Sequence, residues 1–536
     1  MGWTSDEGAA VLQAQLLDRG TWFYENPLPE ADPEGILSPF PIGDHGSKGL
    51  APYAKHPLYP RLLQAADRVL GDLGGLALSV FGATLAALAG ALIAGRLRPA
   101  LARPVLWTLG LLSPLFIDAF AVLAHTLAAA SFGWAVLAVW ESLARRGAVR
   151  VGLLVAAVGL VAATCSLRTE GVLAGGALAV AIGVLAGVWR SRRALTAAIV
   201  VMSAVLGAFV VERLLIASIL GTRSPRPGLA LSPGPRPWTT GRVEAVWNDW
   251  IDPGVTDRVS LGVVAVLAAL VILVAGALRA RRDRRGDPLV LAASIAAVLY
   301  AVRLLSMPLE LFGLFAAFPV LLVGLLLLTR AQVEHRLSSL LLTTSLLFAG
   351  AVLATNYPVG GSIQWGGRYF AVILPVVTPV AVDAIARAGM GWRTEVARKV
   401  VVLLLATSVL ATLTGLRTVR HRHESAARLE AALSELSVLA GGVGVGAFPE
   451  RPAVVTYRRL VPQLLFGDFD DYVWLAPDSR DESGALAAAG LAAAGVDRVV
   501  LLGATSDSSE HWTGWHEVTS RSTPAGRLAV IERASR

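Results

Sequence analysis

The chain has 536 residues, of which 55% are hydrophobic and 16% charged, and its mean hydropathy is positive. An average soluble domain carries about 25% charged residues, so this balance, with its repeated apolar runs of about twenty residues, excludes a string of soluble domains. The formal charge of +8 does not describe a nucleic-acid binder, because the basic residues form no stripe or tail and sit in short clusters between apolar runs.

The first sixty residues stand apart from the rest of the chain. An acidic pair, Asp6-Glu7, opens a polar, proline-broken stretch that ends in the basic, aromatic cluster Lys48 to Pro60. Over residues 1–47 the acids Asp6, Glu7, Asp18, Glu25, Glu30, Asp32, Glu34 and Asp44 face one base, Arg19. No basic segment leads into an apolar one, so no signal peptide is visible. Residues 61–71 have helical apolar spacing with charges opposite, which suits a helix lying along a membrane interface.

Hydrocarbon-length segments then fill residues 73–416. The pattern predicts about twelve spans, near 73–95, 105–117, 119–140, 151–167, 171–189, 194–219, 259–279, 288–305, 311–329, 337–355, 369–386 and 400–416. The pair 105–117 and 119–140 comes from splitting one overlong apolar run at Ser113-Pro114 and Asp118. With that split, every arginine cluster falls in a loop of the same parity: Arg96 to Arg103, Arg145 to Arg150, Arg190 to Arg193, Arg279 to Arg285, Arg330 to Arg336, and Arg387 to Lys399. Those loops are expected in the cytoplasm. Residues 1–72, Asp118, 168–171, 220–258, 304–310, 356–368 and the tail are then expected outside it. Cys165 is the one cysteine, so an outer domain folds without an internal disulfide.

The tail from about 417 changes character. A charged helix near 422–439 precedes candidate strands at Ala453–Tyr457, Asp471–Leu475, Arg498–Gly503 and Arg527–Glu532, with an alanine-rich helix near 484–494. Strands alternating with helices predict a small α/β domain, and no glycine-rich phosphate loop opens any of its helices. Three domains result: a loop at 1–72, a membrane domain at 73–416 and an α/β domain at 417–536.

Chemistry-bearing residues collect on the expected outer face. Asp6 and Glu7 read either as solvated acids near a chain end or as a base with a supporting ligand. Lys55 and His56 read as a lipid-headgroup cluster or as cations for a phosphate. Asp118 lies within an apolar stretch, where an ionisable group is costly and hence a functional candidate. Arg168 and Glu170 read as a self-contained ion pair or as part of a site. Trp365-Gly-Gly-Arg-Tyr369 offers aromatic faces, Arg368 and a glycine pair that lets a ligand approach the backbone. The loop 220–258 is rich in proline and tryptophan, with Trp238, Trp247 and Trp250 placed to cover a cleft.

Together these residues resemble the GT-C superfamily of polyprenyl-phosphate-sugar-dependent glycosyltransferases. The acidic pair in the first outer loop and Lys55-His-Pro-Leu-Tyr-Pro60 before the next span carry the likeness. Ser113-Pro114 with Asp118, and Leu167-Arg-Thr-Glu-Gly171, add to it. The chain is similar in these segments to protein mannosyltransferases and to the aminoarabinose transferases of lipid A. The resemblance implies a multi-pass enzyme of the cell membrane, with its active face and C-terminal domain extracytoplasmic. Its reaction would be an inverting transfer from a polyprenyl-phosphate sugar to a glycan, lipid or protein acceptor, with no nucleic-acid partner. Asp6 takes the role of base with Glu7 in support. Lys55, His56, Arg168 and Arg368 hold the donor phosphate, Asp118 and Glu170 orient the acceptor or a metal, and Trp238 and Trp365 stack on sugar. A divalent cation, Mg or Mn, is admitted on Asp6, Glu7 and Asp118. Family members carry a transmembrane helix before the acidic loop, so an upstream helix is expected beyond Met1. The competing classes are a lipid or solute transporter, against which no paired broken halves are visible, and a non-catalytic scaffold of envelope assembly.

Overall fold

The computed structural model describes residues 5–40, 43–221, 238–254, 260–306, 310–355, 365–440, 443–445, 448–458, 460–477, 483–503, 512–523 and 526–534, and of these the side chains of 5, 238–240 and 443–450 are left aside. The chain divides into two compact units. One comprises Ala66–Arg213 and Gly234–Thr418; the other comprises Met1–Ala65, Leu214–Pro233 and Val419–Arg536.

The larger unit is helical. Among the described residues, 10 helices are long and apolar enough to cross a membrane, from Leu58–Leu97 to Thr394–Ala440. Large apolar side chains remain exposed along them, such as Val155 at 66% and Val271 at 68%. Such flanks are at home against lipid. The chain is a multi-pass membrane protein. Arg145 and Arg146 fall between His125–Ala144 and Gly147–Leu167, Arg190 between Thr169–Val188 and Arg192–Leu220, and Arg284 and Arg285 between Leu261–Asp283 and Asp287–Leu305.

Two of the twelve expected spans are not single helices. The segment at 105–117 is split into Ala102–Leu112 and Pro114–Asp118, and the one at 311–329 into Leu314–Ala317 and Pro319–Leu326. In each case a proline starts the second piece. It cannot donate the backbone hydrogen bond that continuing the first helix requires. Small residues let helices approach closely. A Cβ on Gly276 would lie 2.3 Å from that of Ala292, and one on Gly171 would lie 2.1 Å from the Thr164 carbonyl. Between helices in lipid, such close backbone contact replaces the hydrophobic drive available in water. One buried charge is satisfied by its surroundings. Asp383 accepts from Arg98 at 2.6 Å, Arg387 at 2.8 Å and Gln332 at 2.8 Å.

The smaller unit is α/β. It contains the hairpin β1 (Asp44–Gly46) and β2 (Gly49–Ala51), a second hairpin of β3 (Val443–Val445) and β4 (Phe448–Arg451), and a five-stranded sheet. The sheet strands are β5 (Ala453–Thr456), β6 (Val473–Leu475), β7 (Arg498–Leu502), β8 (Trp515–Thr523) and β9 (Gly526–Arg533), in the order β6-β5-β7-β9-β8. The first three run parallel and β9 turns back antiparallel on β7. Successive residues point to opposite faces, so Val454, Trp474, Val500 and Val530 serve one core while Val455, Leu475, Leu501 and Ile531 serve the other. The N-terminal segment enters both cores. Leu12 and Phe40 join the first, and Leu28 and Leu37 join the second. Hydrogen bonds tie it further, from Ala476 N–H to the Leu37 carbonyl and from the Gln463 side-chain Nε2 to the Pro39 carbonyl.

Candidate functional site

The acidic pair at the chain start lies in a helix, Ser5–Asp18, with Asp6 and Glu7 in its first turn. The partial positive charge of a helix N-terminus favours carboxylates there. The helix is pressed against Val461–Leu464 at Gly8, whose Cβ, if present, would lie 1.6 Å from the Gln463 carbonyl oxygen. Only glycine permits that approach.

This helix and the Lys55 segment bring distant residues together. Asp6 Oδ1 lies 3.0 Å from Lys55 Nζ, and the Lys55 ammonium sits 4.8 Å from the centre of the Tyr53 ring. Asp6, Glu7, His56, Tyr53 and Tyr59 are all buried. The segment is fixed from both sides. Gln13 Oε1 accepts from the Tyr53 N–H at 3.1 Å, while Gln13 Nε2 donates to the Trp22 carbonyl at 3.0 Å. Pro57 precedes the helix Leu58–Leu70 and Pro60 falls in its first turn, where a missing N–H costs little. Asp44 belongs to the same cluster, although sequence patterning does not single it out. Its Oδ2 accepts from the Ala54 N–H at 2.7 Å. Burial raises its carboxyl above the usual range, against opposing pulls from Lys55, two backbone N–H groups and His56.

The helical unit has its own polar cluster, built around two consecutive glycines. Gly366 and Gly367 both have φ of 66°, a left-handed conformation that favours glycine. A Cβ on Gly366 would lie 2.5 Å from the Pro114 ring, and one on Gly367 would lie 2.7 Å from the Asp249 carbonyl oxygen. The turn is therefore wedged between the helix that ends at Asp118 and a short π-helix, Trp247–Ile251. Trp250 closes this corner against Phe370, with ring centres 4.4 Å apart. Arg168 pairs with Glu170 through two hydrogen bonds of 3.0 Å, and both residues are buried. Arg368 acts electrostatically on Glu170, and Glu170 on Asp249. Asp118 is 6% exposed at its helix end.

Asp249 is the residue that sequence reasoning missed. It is 1% exposed, and its Oδ1 accepts no hydrogen bond from any described residue. Burial first, and Glu170 second, push its carboxyl up to about 8. At neutral pH it is mostly protonated and able to donate as well as accept a hydrogen bond. The available signal is an acid enclosed by aromatics, Trp247-Asn-Asp-Trp250, where the tryptophans draw the eye first.

The expected stacking residues stand differently. The Trp365 ring is 2% exposed and faces Gly415, so it fills a packing position instead of presenting an open face. The side chain of Trp238 lies outside the described residues, as do the prolines of 222–237. Among the described residues no group of three His, Cys, Asp or Glu side chains could hold a metal ion. Asp6 Oδ1 already has the Lys55 ammonium as its cation. Among the described residues, the carboxylates around Asp6 therefore do not make up a divalent-ion site.

The fold and its two clusters define a multi-pass helical membrane protein with a small α/β unit and buried ionisable groups in both units. No family model matches the chain, and neither does any curated protein. Among solved structures it is similar to ArnT from Cupriavidus metallidurans. The apo form is 15% identical with a TM-score of 0.44, covering 98% of this chain and 93% of that one. The form bound to undecaprenyl phosphate is 12% identical with a TM-score of 0.46, over the same shares of each chain.

Proposed function

We propose that the protein is a membrane glycosyltransferase that moves a sugar from a polyprenyl-phosphate donor to a hydroxyl outside the cytoplasm. The observation that carries this reading is the pairing of the buried Asp6 with the half-buried Lys55, which joins the two sequence segments most like the GT-C enzymes. Asp6 supplies the carboxylate that takes the proton from the acceptor hydroxyl, and Glu7 in the same helical turn supports it. The acceptor oxygen attacks the anomeric carbon as the bond from that carbon to the phosphate oxygen breaks. The phosphate keeps the electron pair, and the anomeric centre inverts. Because the departing phosphate is a stable anion, no general acid is required. Cationic donors stabilise the growing charge. Lys55, His56 and Arg368 take that role, with Arg168 held in place by Glu170. Asp118 and Glu170 orient the acceptor. In this reading the active face and the α/β unit lie outside the cytoplasm, as the loop parity of the arginine clusters implies.

Asp6→Asn keeps the size of the side chain and removes its basicity. Sugar transfer in membranes supplied with a polyprenyl-phosphate sugar should drop by about two to four orders of magnitude. Transfer at the wild-type rate would refute the assignment. Movement of labelled lipid or solute across the bilayer, with no new glycosidic bond, would establish a transporter instead.

A further inference from the structure

Two turns of the helical unit meet at a basic cleft that the proposed reaction does not use. Arg284 to Gly286 joins the helices Leu261–Asp283 and Asp287–Leu305, and Gly391 to Arg393 joins Leu374–Met390 to Thr394–Ala440. The turns touch directly, since a Cβ on Gly286 would lie 2.6 Å from Val396 and 2.8 Å from the Trp392 ring. Between them is a cleft of about 340 Å³ lined by Arg284, Arg285, Arg393 and Trp392. Arg393 stands 3.7 Å from Asp287, and Arg279 stands 3.6 Å from Asp283. Three arginines line the cleft against one acid, Asp287, so the cleft is left positive. Arg284 also has φ of 53°. A non-glycine residue in that conformation is strained, which glycine would avoid.

The cleft does not end at the turn. It shares Arg285 and Asp287 with an open groove of about 710 Å³ that runs along both helices past Ala275, Arg279, Leu291 and Ile295. The helices come close where Gly276 meets Ala292, and the groove is the valley beside that contact. From Arg279 to Ile272 it extends about 10 Å along the helix axis, roughly a third of a hydrocarbon core. Beyond Arg279 its wall is apolar and faces outward, with Leu291 64% exposed and Ile295 39% exposed.

A positive cleft opening into an apolar valley matches a molecule with a phosphate at one end and a hydrocarbon chain at the other. We propose that this is a binding site for an anionic glycerophospholipid of the surrounding bilayer. Its phosphate is held by Arg284, Arg285 and Arg393, and one acyl chain lies along Ala275, Leu291 and Ile295. Guanidinium groups suit phosphate oxygens because their N–H donors fork toward them. Basic pockets between helices at a membrane surface hold anionic headgroups by this chemistry.

The test uses the full chain purified in detergent and incubated with phosphatidylglycerol or phosphatidylcholine of identical acyl chains. Bound lipid is counted by native mass spectrometry. Phosphatidylglycerol should be retained preferentially. The triple variant Arg284→Gln/Arg285→Gln/Arg393→Gln should cut its retention by about tenfold to a hundredfold. Ala275→Trp fills the valley and leaves every arginine in place, so it should lower retention of the same lipid without altering the turn. Equal retention of the two lipids, or unchanged retention in both variants, would overturn the site. So would displacement of phosphatidylglycerol by an equimolar polyprenyl monophosphate, which would assign the groove to a different lipid.

Discussion

Asp249 carries the strongest electrostatic statement at the scale of single residues. An unfolded aspartate titrates near 3.9, whereas burial pushes this carboxyl up to about 8. Between those values the folded chain keeps a proton that the unfolded chain has lost. The stability linked to this group is therefore fully present below about pH 4 and is lost as pH rises toward 8. Asp249→Asn keeps the shape and cannot ionise. Its melting temperature minus that of the wild type should widen between pH 5 and pH 8 and level off above that. A difference that stays constant across the range would contradict the assignment. Asp6 differs in kind, because Lys55 stands beside it at 3.0 Å. Both acids are buried, and only their partners distinguish them. That is why an acid count along the sequence could pick out Asp6 through its motif and pass over Asp249.

At the scale of elements, close approach is controlled by glycines. Gly8→Ala would drive a methyl group into the Gln463 carbonyl. Overpacking of this kind costs about 1–3 kcal/mol or more. Thermal unfolding should fall by several degrees, and activity should fall with it because Asp6 rides on the same helix. Gly152 lies in the helix Gly147–Leu167 with nothing within 4 Å of an added Cβ. Gly152→Ala should be neutral or slightly stabilising by the same measurement. A loss as large as that of Gly8→Ala would show that glycine content in general, and not the Gln463 contact, sets the effect. Element boundaries are legible where apolar length decides them, as in the span expected at 288–305 and found at Asp287–Leu305. The helix Ser5–Asp18 is not foreseeable in this way. It buries Ala9, Ala10, Leu12, Ala14 and Leu17 around much of its circumference, so no clean polar stripe marks it. Strand β8 escapes sequence reading for the opposite reason. Its residues are nearly all exposed or half-exposed, and an edge strand with no buried face shows no alternation.

At the scale of the whole molecule, the α/β unit is discontinuous in sequence. Leu12, Leu28, Leu37 and Phe40 are buried in the two cores of a sheet whose strands begin at Ala453. Fully burying one such side chain contributes about 1.5–3 kcal/mol. A fragment of residues 419–536 should therefore bind a hydrophobic dye and unfold without a cooperative transition. Fusing residues 5–65 to it should restore one. A cooperative transition in the short fragment alone would show that the N-terminal segment is an addition to a complete domain. The sequence by itself determined the membrane class, the run of helices, the arginine-bearing turns and four of the five sheet strands. All of these depend on local composition and periodicity. Only the tertiary structure decided that the opening segment packs into both cores of the C-terminal sheet. Only it brought Asp6 to Lys55 across 49 residues and set Asp249 against the glycine turn before Arg368. Those contacts depend on which surfaces meet, and hydrophobic patterning records that a surface is buried without recording its partner.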